Sequence, residues 1–267
     1  MANDSLLEVE DLCKYYISGY IVTEEVVGAE DVTFSLDKGE ILALVGESGS
    51  GKSTVSNIIL RLMKPSSGTV KFKGRDITEI DKIEYWNNVQ TVFQDPYSTF
   101  NKYYQVDKVL HDAFDLKEKM EGVSYSEAER SEIIEETLAK TGVNADEILG
   151  RYPHQTSGGQ MQRLLVVRSL IIEPELLVAD EPTSMIDAST RVGVLNELNR
   201  LREEGMSIMF ITHDVGQAYY IADRAAVMKD GKIVEMGPAE KVFFESEHPY
   251  TQNLIDSVPK LHEKWDL

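Results

Sequence analysis

Apolar positions along the chain follow two periods. Three compact runs, at residues 41–45, 176–179 and 208–211, show no alternation, and each leads into a glycine, a carboxylate or a histidine. Short unbroken runs of this kind predict strands buried on both faces, as in a parallel sheet, whose ligands sit beyond the carboxyl ends. Residues 7–9, 32–36 and 70–72 alternate apolar and polar, as do 226–234 around the Asp230-Gly231 turn, and predict antiparallel additions. From 97 to 150 the period becomes helical. Ser126 and Glu129 form a capping box and Gly142 supplies a stop for a helix over 127–141, whose acidic stretch 127–136 reads as a solvated face. Helices are also expected to contain residues 55–62 and 161–172. The predicted class is α/β: a parallel core sheet with an antiparallel β subdomain and an inserted α-helical subdomain at about residues 97–168. No internal repeat or sustained heptad pattern points to a solenoid or a long coiled coil.

Composition narrows the function classes. The 267 residues are 42% hydrophobic, enough for a large core, and 46 acidic against 27 basic side chains give a net charge of -19. A nucleic-acid binder must neutralise phosphates, so no nucleic-acid partner is expected. No uninterrupted apolar run exceeds five residues, whereas a membrane span needs roughly 20. The N-terminal stretch lacks the basic and apolar blocks of a signal peptide. A soluble intracellular chain is the expectation. The one cysteine, Cys13, forms no internal disulfide and reads as a packing residue.

The chemistry concentrates after the core runs. Gly46, Glu47, Ser48, Gly49, Ser50, Gly51, Lys52, Ser53 and Thr54 fit G-x-x-x-x-G-K-[ST] between a strand and a helix. Glycines let backbone N–H groups close around phosphate, Lys52 adds a mobile positive charge, and Ser53 is placed to hold Mg²⁺. The second run ends in Asp180 and Glu181. Asp180 would support the metal while Glu181, on the other side, polarises an attacking water. At Ser157, Gly158, Gly159 and Gln160 a second small-residue turn opens an apolar helix and presents a further set of N–H donors. A P-loop leaves one face of the γ-phosphate open, and this second cluster could close it from a partner subunit.

The stretch TSGGQMQR resembles the LSGGQ signature of ATP-binding cassette (ABC) ATPases, and lies just before DEPTS as in that family. Gln94 in VFQDPYSTFN resembles the family's Q-loop, His213 in ITHD its switch histidine, Ser184-Met185-Ile186-Asp187 its D-loop, and Tyr16 its adenine-stacking aromatic. Tyr15 competes with Tyr16 by position; registering KYY on the family pattern selects Tyr16. Taken alone, Gln94 reads as a surface residue and His213 as a structural donor at a strand end. The resemblance implies the P-loop NTPase fold and two cassettes meeting head to tail. Each ATP would lie between one chain's P-loop and the other chain's signature turn. Glu181, Lys52, His213 and Gln94 would be catalytic, with Ser53, Gln94 and Asp180 around Mg²⁺.

The C-terminal FFESEHPYTQNLIDSVP resembles ATPase subunits of oligopeptide and dipeptide importers, a branch that includes nickel importers. On that basis residues 1–242 form the nucleotide-binding domain and 243–267 an extension, read from its residues alone as a stabilising helical cap. Thr156, Met161 and Met185-Ile186 depart from the usual leucine, arginine and Ala-Leu, without removing a catalytic group. They are compatible with pairing to a non-identical sister cassette. An iron-sulfur cluster is not expected, because the cysteine-rich tail of some relatives is missing. The implied partners are two integral-membrane permeases, a second ABC ATPase and, indirectly, a solute-binding protein. The implied place is the cytoplasmic face of the membrane. Tyr97, Phe100, Tyr103 and Tyr104 are the expected permease-facing aromatics. The rival class is a soluble ABC-type ATPase of translation or DNA maintenance, which the single cassette and the charge disfavour.

Overall fold

The computed structural model describes residues 5–18 and 24–257. Ten strands, β1 Ser5–Ser18, β2 Glu24–Asp37, β3 Ile41–Val45, β4 Ser67–Phe72, β5 Arg75–Asp76, β6 Val89–Val92, β7 Leu176–Asp180, β8 Ser207–Thr212, β9 Arg224–Lys229 and β10 Lys232–Pro238, make two sheets among these residues. The core sheet runs β10-β9-β3-β8-β7-β6 and the second β2-β1-β4-β5. The helices are α1 Lys52–Ile59, α2 Lys82–Asn88, α3 Pro96–Thr99, α4 Lys108–Glu121, α5 Glu127–Lys140, α6 Ala145–Ile148, α7 Gly158–Ile171, α8 Ala188–Glu203, α9 Val215–Ile221, α10 Ala239–Phe244 and α11 Pro249–Asp256.

The unalternating runs become β3, β7 and β8, mutually parallel and buried. Their side chains divide between two cores. Ile41, Ala43, Val45, Leu177, Ala179, Ile208 and Phe210 enter the core shared with the helical block and α8 to α11. Leu42, Leu44, Val178, Met209 and Ile211 enter the core shared with α1 and the antiparallel sheet. Both faces of the sheet are covered at these three strands, so their central positions are apolar without alternation. The alternating segments supply β1, β2 and β4, which pair antiparallel and point one side into the second core.

Several expectations change. A further parallel strand, β6, pairs with β7; its sequence VQTV is too polar to stand out as a core run. The turn Asp230-Gly231, with φ of 49° and 82°, joins an antiparallel hairpin as predicted. Its first strand, β9, also lies parallel to β3 and belongs to the core sheet. The helix expected through residue 62 stops at Ile59. Arg61 is left-handed (φ 56°), its N–H donates to Ile58 O at 2.9 Å and that of Leu62 to Asn57 O at 2.9 Å, the double bond of a Schellman stop without glycine. Phe100, expected at the surface, is buried in the core, whereas Tyr97, Tyr103 and Tyr104 are exposed. The predicted capping box is present: Ser126 Oγ accepts from Glu129 N and Glu129 Oε2 from Ser126 N, with α5 running to Lys140. Its acidic residues Glu127, Glu129, Glu132, Glu135 and Glu136 are exposed.

Candidate nucleotide site

The chain leaves β3 at Val45 and turns through the glycine-rich loop into α1. Gly49 and Gly51 are left-handed, with φ of 83° and 104°. A Cβ on Gly46 would lie 2.3 Å from Met228 O, and one on Gly51 2.4 Å from Gly28 O. The loop is therefore pressed between β9 and β2, and only glycine fits at either position. Ser50 N–H donates to Glu47 O at 3.2 Å, and Ser50 O accepts from Gly231 N at 2.9 Å. These bonds hold the loop's back; Thr54 N–H donates to Gly51 O at 3.0 Å, and the N–H groups before it at the start of α1 open forward.

Lys52 is buried, and its ammonium donates to Gly46 O and Glu47 O, both at 2.7 Å. Burial lowers its pKa, opposed by the charges of Glu181, Asp180 and Glu47. Asp180 at the end of β7 accepts from Ser56 Oγ at 3.4 Å. Burial, then the neighbouring Glu181, raise its pKa; the Ser56 bond and Lys52 counter this. Ser56 lies one helical turn after Lys52 on the same face of α1, so a spacing of four from the lysine was the signal that could have identified it.

Glu181 breaks from β7 in the left-handed region, φ 46°, with its N–H donating to Ile211 O at 2.9 Å. Such a conformation is unusual for a residue other than glycine, and the β7 to β8 pairing holds it. It swings the side chain away from Asp180's direction. Glu181 Oε2 accepts from Gln94 Nε2 at 2.8 Å, and Oε1 lies 2.9 Å from His213 Nδ1. Gln94 and His213 follow β6 and β8, the two strands flanking β7, so parallel pairing delivers all three groups to one sheet edge.

Tyr16, Lys52, Ser53, Thr54, Gln94, Glu181 and His213 line one open cleft of about 690 Å³, together with Glu47, Ser48, Gly49 and Gly51. Tyr16 is fixed by its hydroxyl, 3.1 Å from both Thr54 Oγ1 and Met63 Sδ. Tyr15, one residue earlier, does not line the cleft, and the neighbouring Cys13 side chain is the largest cause raising its pKa to about 12. The buried Cys13 thiol also receives Asp31 N–H at 3.3 Å, so it does more than pack. Gly28, Leu254 and Ser257 are cleft residues that the sequence pattern did not single out. The latter two come from α11 and its end, some 200 residues from the loop, and no local pattern carries that proximity.

The signature turn does not line this cleft. Ser157 Oγ accepts from Gln160 N at 3.2 Å and Gln160 Oε1 from Ser157 N at 2.9 Å, a capping box at the start of α7. A Cβ on Gly158 would lie 3.2 Å from Met185 O, and one on Gly159 2.4 Å from Thr190 Cγ2, so the turn nests on the segment leading into α8. As candidates for Mg²⁺, the hydroxyl of Ser53, the amide of Gln94 and the half-buried carboxylate of Asp180 are hard oxygen donors of few charges. That set suits a cation that keeps phosphate and water ligands. Among the described residues no helix is long and apolar enough to cross a membrane.

Comparison with known proteins places these features. The ABC transporter family model matches residues 29–184, and the model for the oligopeptide/dipeptide transporter C-terminal region matches 234–267, whose last ten positions lie outside the described residues. Oligopeptide transport ATP-binding protein AppF of Bacillus subtilis is 38% identical, over 96% of this chain and 79% of its own length. Dipeptide transport ATP-binding protein DppF of Haemophilus influenzae is 38% identical, over 97% of this chain and 80% of its own. Among solved structures, the ATP-binding cassette MJ0796, dimeric in a post-hydrolysis state bound to ADP and Pi, superposes with a TM-score of 0.76. It is 26% identical and covers 87% of this chain and 98% of its own. With the P-loop, the acid pair and the flanking glutamine and histidine gathered at one edge of a cassette fold, the chain belongs to the ABC transporter family as an ATP-hydrolysing subunit.

Proposed function

We propose that this chain powers the uptake of oligopeptides, dipeptides or a related small solute through two integral-membrane permease subunits, at the cytoplasmic face of the membrane. The division into a nucleotide-binding domain at 1–242 and an extension at 243–267 is part of the same reading. One observation carries it: Glu181 is held between Gln94 and His213 at the mouth of the P-loop cleft, while the capped turn at Ser157 faces elsewhere. Among the described residues, the Ser157 to Gln160 donors of the same chain do not line the cleft. A second cassette, identical or homologous, supplies its own Ser157 to Gln160 turn there, so ATP joins the two.

The residues divide the work. Tyr16 stacks on the base; the loop amides and Lys52 take the phosphates. Ser53 and Gln94 would hold Mg²⁺ with Asp180 behind them, and the ion would neutralise phosphate charge. Glu181 orients and polarises the attacking water, and His213, touching Glu181, contacts the γ-phosphate. Gln94, bonded to Glu181 on one side and followed by the exposed Tyr97 on the next turn, links hydrolysis to the permease-facing aromatics. The solute meets a separate binding protein and the permeases rather than this subunit.

The test is purification of the chain from native membranes with identification of the proteins that accompany it, and assay of solute-stimulated ATP hydrolysis. Two permeases and a second cassette support the reading; ribosomes or DNA overturn it.

A further inference from the structure

The C-terminal extension reaches the phosphate loop. Glu235 Oε2 accepts from Ser246 Oγ at 2.6 Å and its Oε1 from Glu247 N at 3.0 Å, tying the segment after α10 to β10. His248 Nδ1 then accepts the N–H of Tyr250 at 3.2 Å as the N-cap of α11, with Pro249 in the first turn. This cap orients Tyr250, which is buried, with the Lys229 ammonium 4.9 Å from its ring centroid. Its hydroxyl accepts the backbone N–H of Glu47 at 3.1 Å. The same helix puts Leu254 against the nucleotide cleft, with Ser257 beside it.

Glu47 is the first residue after Gly46, where the chain leaves β3 and begins the cradle. Its carbonyl accepts from Ser50 N–H and from Lys52, whose ammonium also bonds Gly46 O in the peptide that carries the Glu47 N–H, so the backbone at Glu47 sets the position of both. A loop free at this point would have to be ordered by each incoming nucleotide, at the expense of affinity. We propose that Tyr250 is a positioning residue for the P-loop: by accepting Glu47 N–H it holds the phosphate cradle in its binding form, so that nucleotide affinity depends on the extension. His248 and Pro249 act by presenting Tyr250. The inference rests on the nucleotide reading of the cleft.

Tyr250→Phe removes the acceptor and keeps the ring, its burial and its contact with Lys229. Titration calorimetry with ADP and Mg²⁺ on the full chain should show Kd raised about three- to tenfold, the change expected for one neutral hydrogen bond. In the assembled transporter KM for ATP should rise with kcat retained, a split that loss of fold stability does not produce. An unchanged Kd overturns the proposal whatever happens to the melting temperature, as does a loss confined to kcat. If the wild-type chain itself binds no ADP, the nucleotide reading fails instead.

Discussion

Glu181 Oε1 and His213 Nδ1 lie 2.9 Å apart although 32 residues separate them in the chain. Their contact arises because β7 and β8 are adjacent parallel strands ending level with one another, Asp180 pairing with Ile211. The second carboxylate oxygen takes Gln94 from the strand on the other side. A water held at Glu181 would therefore sit between Gln94 and His213.

Replacing Glu181 with glutamine keeps its size and removes its basicity. ATP turnover is expected to fall about 10²- to 10⁴-fold, the usual contribution of a general base, with nucleotide binding retained. Phosphate release measures the first, and size-exclusion chromatography with ATP should reveal a trapped dimer. Unaltered turnover would remove Glu181 from its role.

Lys52→Ala should act on binding itself. The lysine's nearest partners in the loop are the carbonyls of Gly46 and Glu47, with the charges of Glu181, Asp180 and Glu47 acting on it as well, so its ammonium stays in the cradle to meet phosphate. Loss of a charged hydrogen bond corresponds to about 1.5–3 kcal/mol, or roughly 10- to 150-fold weaker nucleotide affinity. Equilibrium binding of labelled ATP checks this.

Asp180 should cost stability at neutral pH. Burial raises its pKa, and Glu181 raises it further. The folded state thus holds this proton more tightly than the unfolded chain, and stability is lost as pH rises through the native pKa. Asp180→Asn should melt higher than wild type near pH 8, by about 2 °C if the gain is about 1 kcal/mol. The difference should shrink as pH falls toward the carboxylate range, and hydrolysis should be impaired throughout. Equal melting curves at all pH values would contradict the assigned burial cost.

Gly159→Ala forces a Cβ to within 2.4 Å of Thr190 Cγ2. Displacement of the signature turn should cost about 1–3 kcal/mol and lower turnover of the assembled pair, with nucleotide affinity of the isolated chain preserved. Thr190→Ser deletes the offending methyl and keeps the hydroxyl that binds Asp187 Oδ2 at 2.8 Å. The double variant should recover activity; failure to do so would place the fault elsewhere.

The P-loop, the acids after β7, the signature turn and the α5 capping box were legible because each is a local pattern whose chemistry fixes its own backbone. Less was legible where an element's place depends on its neighbours. β6 is a strand because β7 offers it an edge; VQTV carries β-branched residues but is too short and too mixed in polarity to mark a core strand by itself. Arg61 ends α1 in a conformation that normally advertises itself by glycine. Phe100 sits in an aromatic surface segment yet turns inward, joining the core that holds Val106 and Leu110.

By itself the sequence determined the α/β class, the phosphate loop and the kinds of chemical group available, because periodicity and short motifs act over a few residues. The resemblance already pointed to Tyr16 over Tyr15; only the tertiary structure decided that Gln94 and His213 each meet a carboxylate oxygen of Glu181, and that Tyr250 touches the loop at Glu47. Those relations join residues from about 30 to 200 positions apart, and what sets them is the order of strands in the sheet and the packing of α11 against it, which no local pattern encodes.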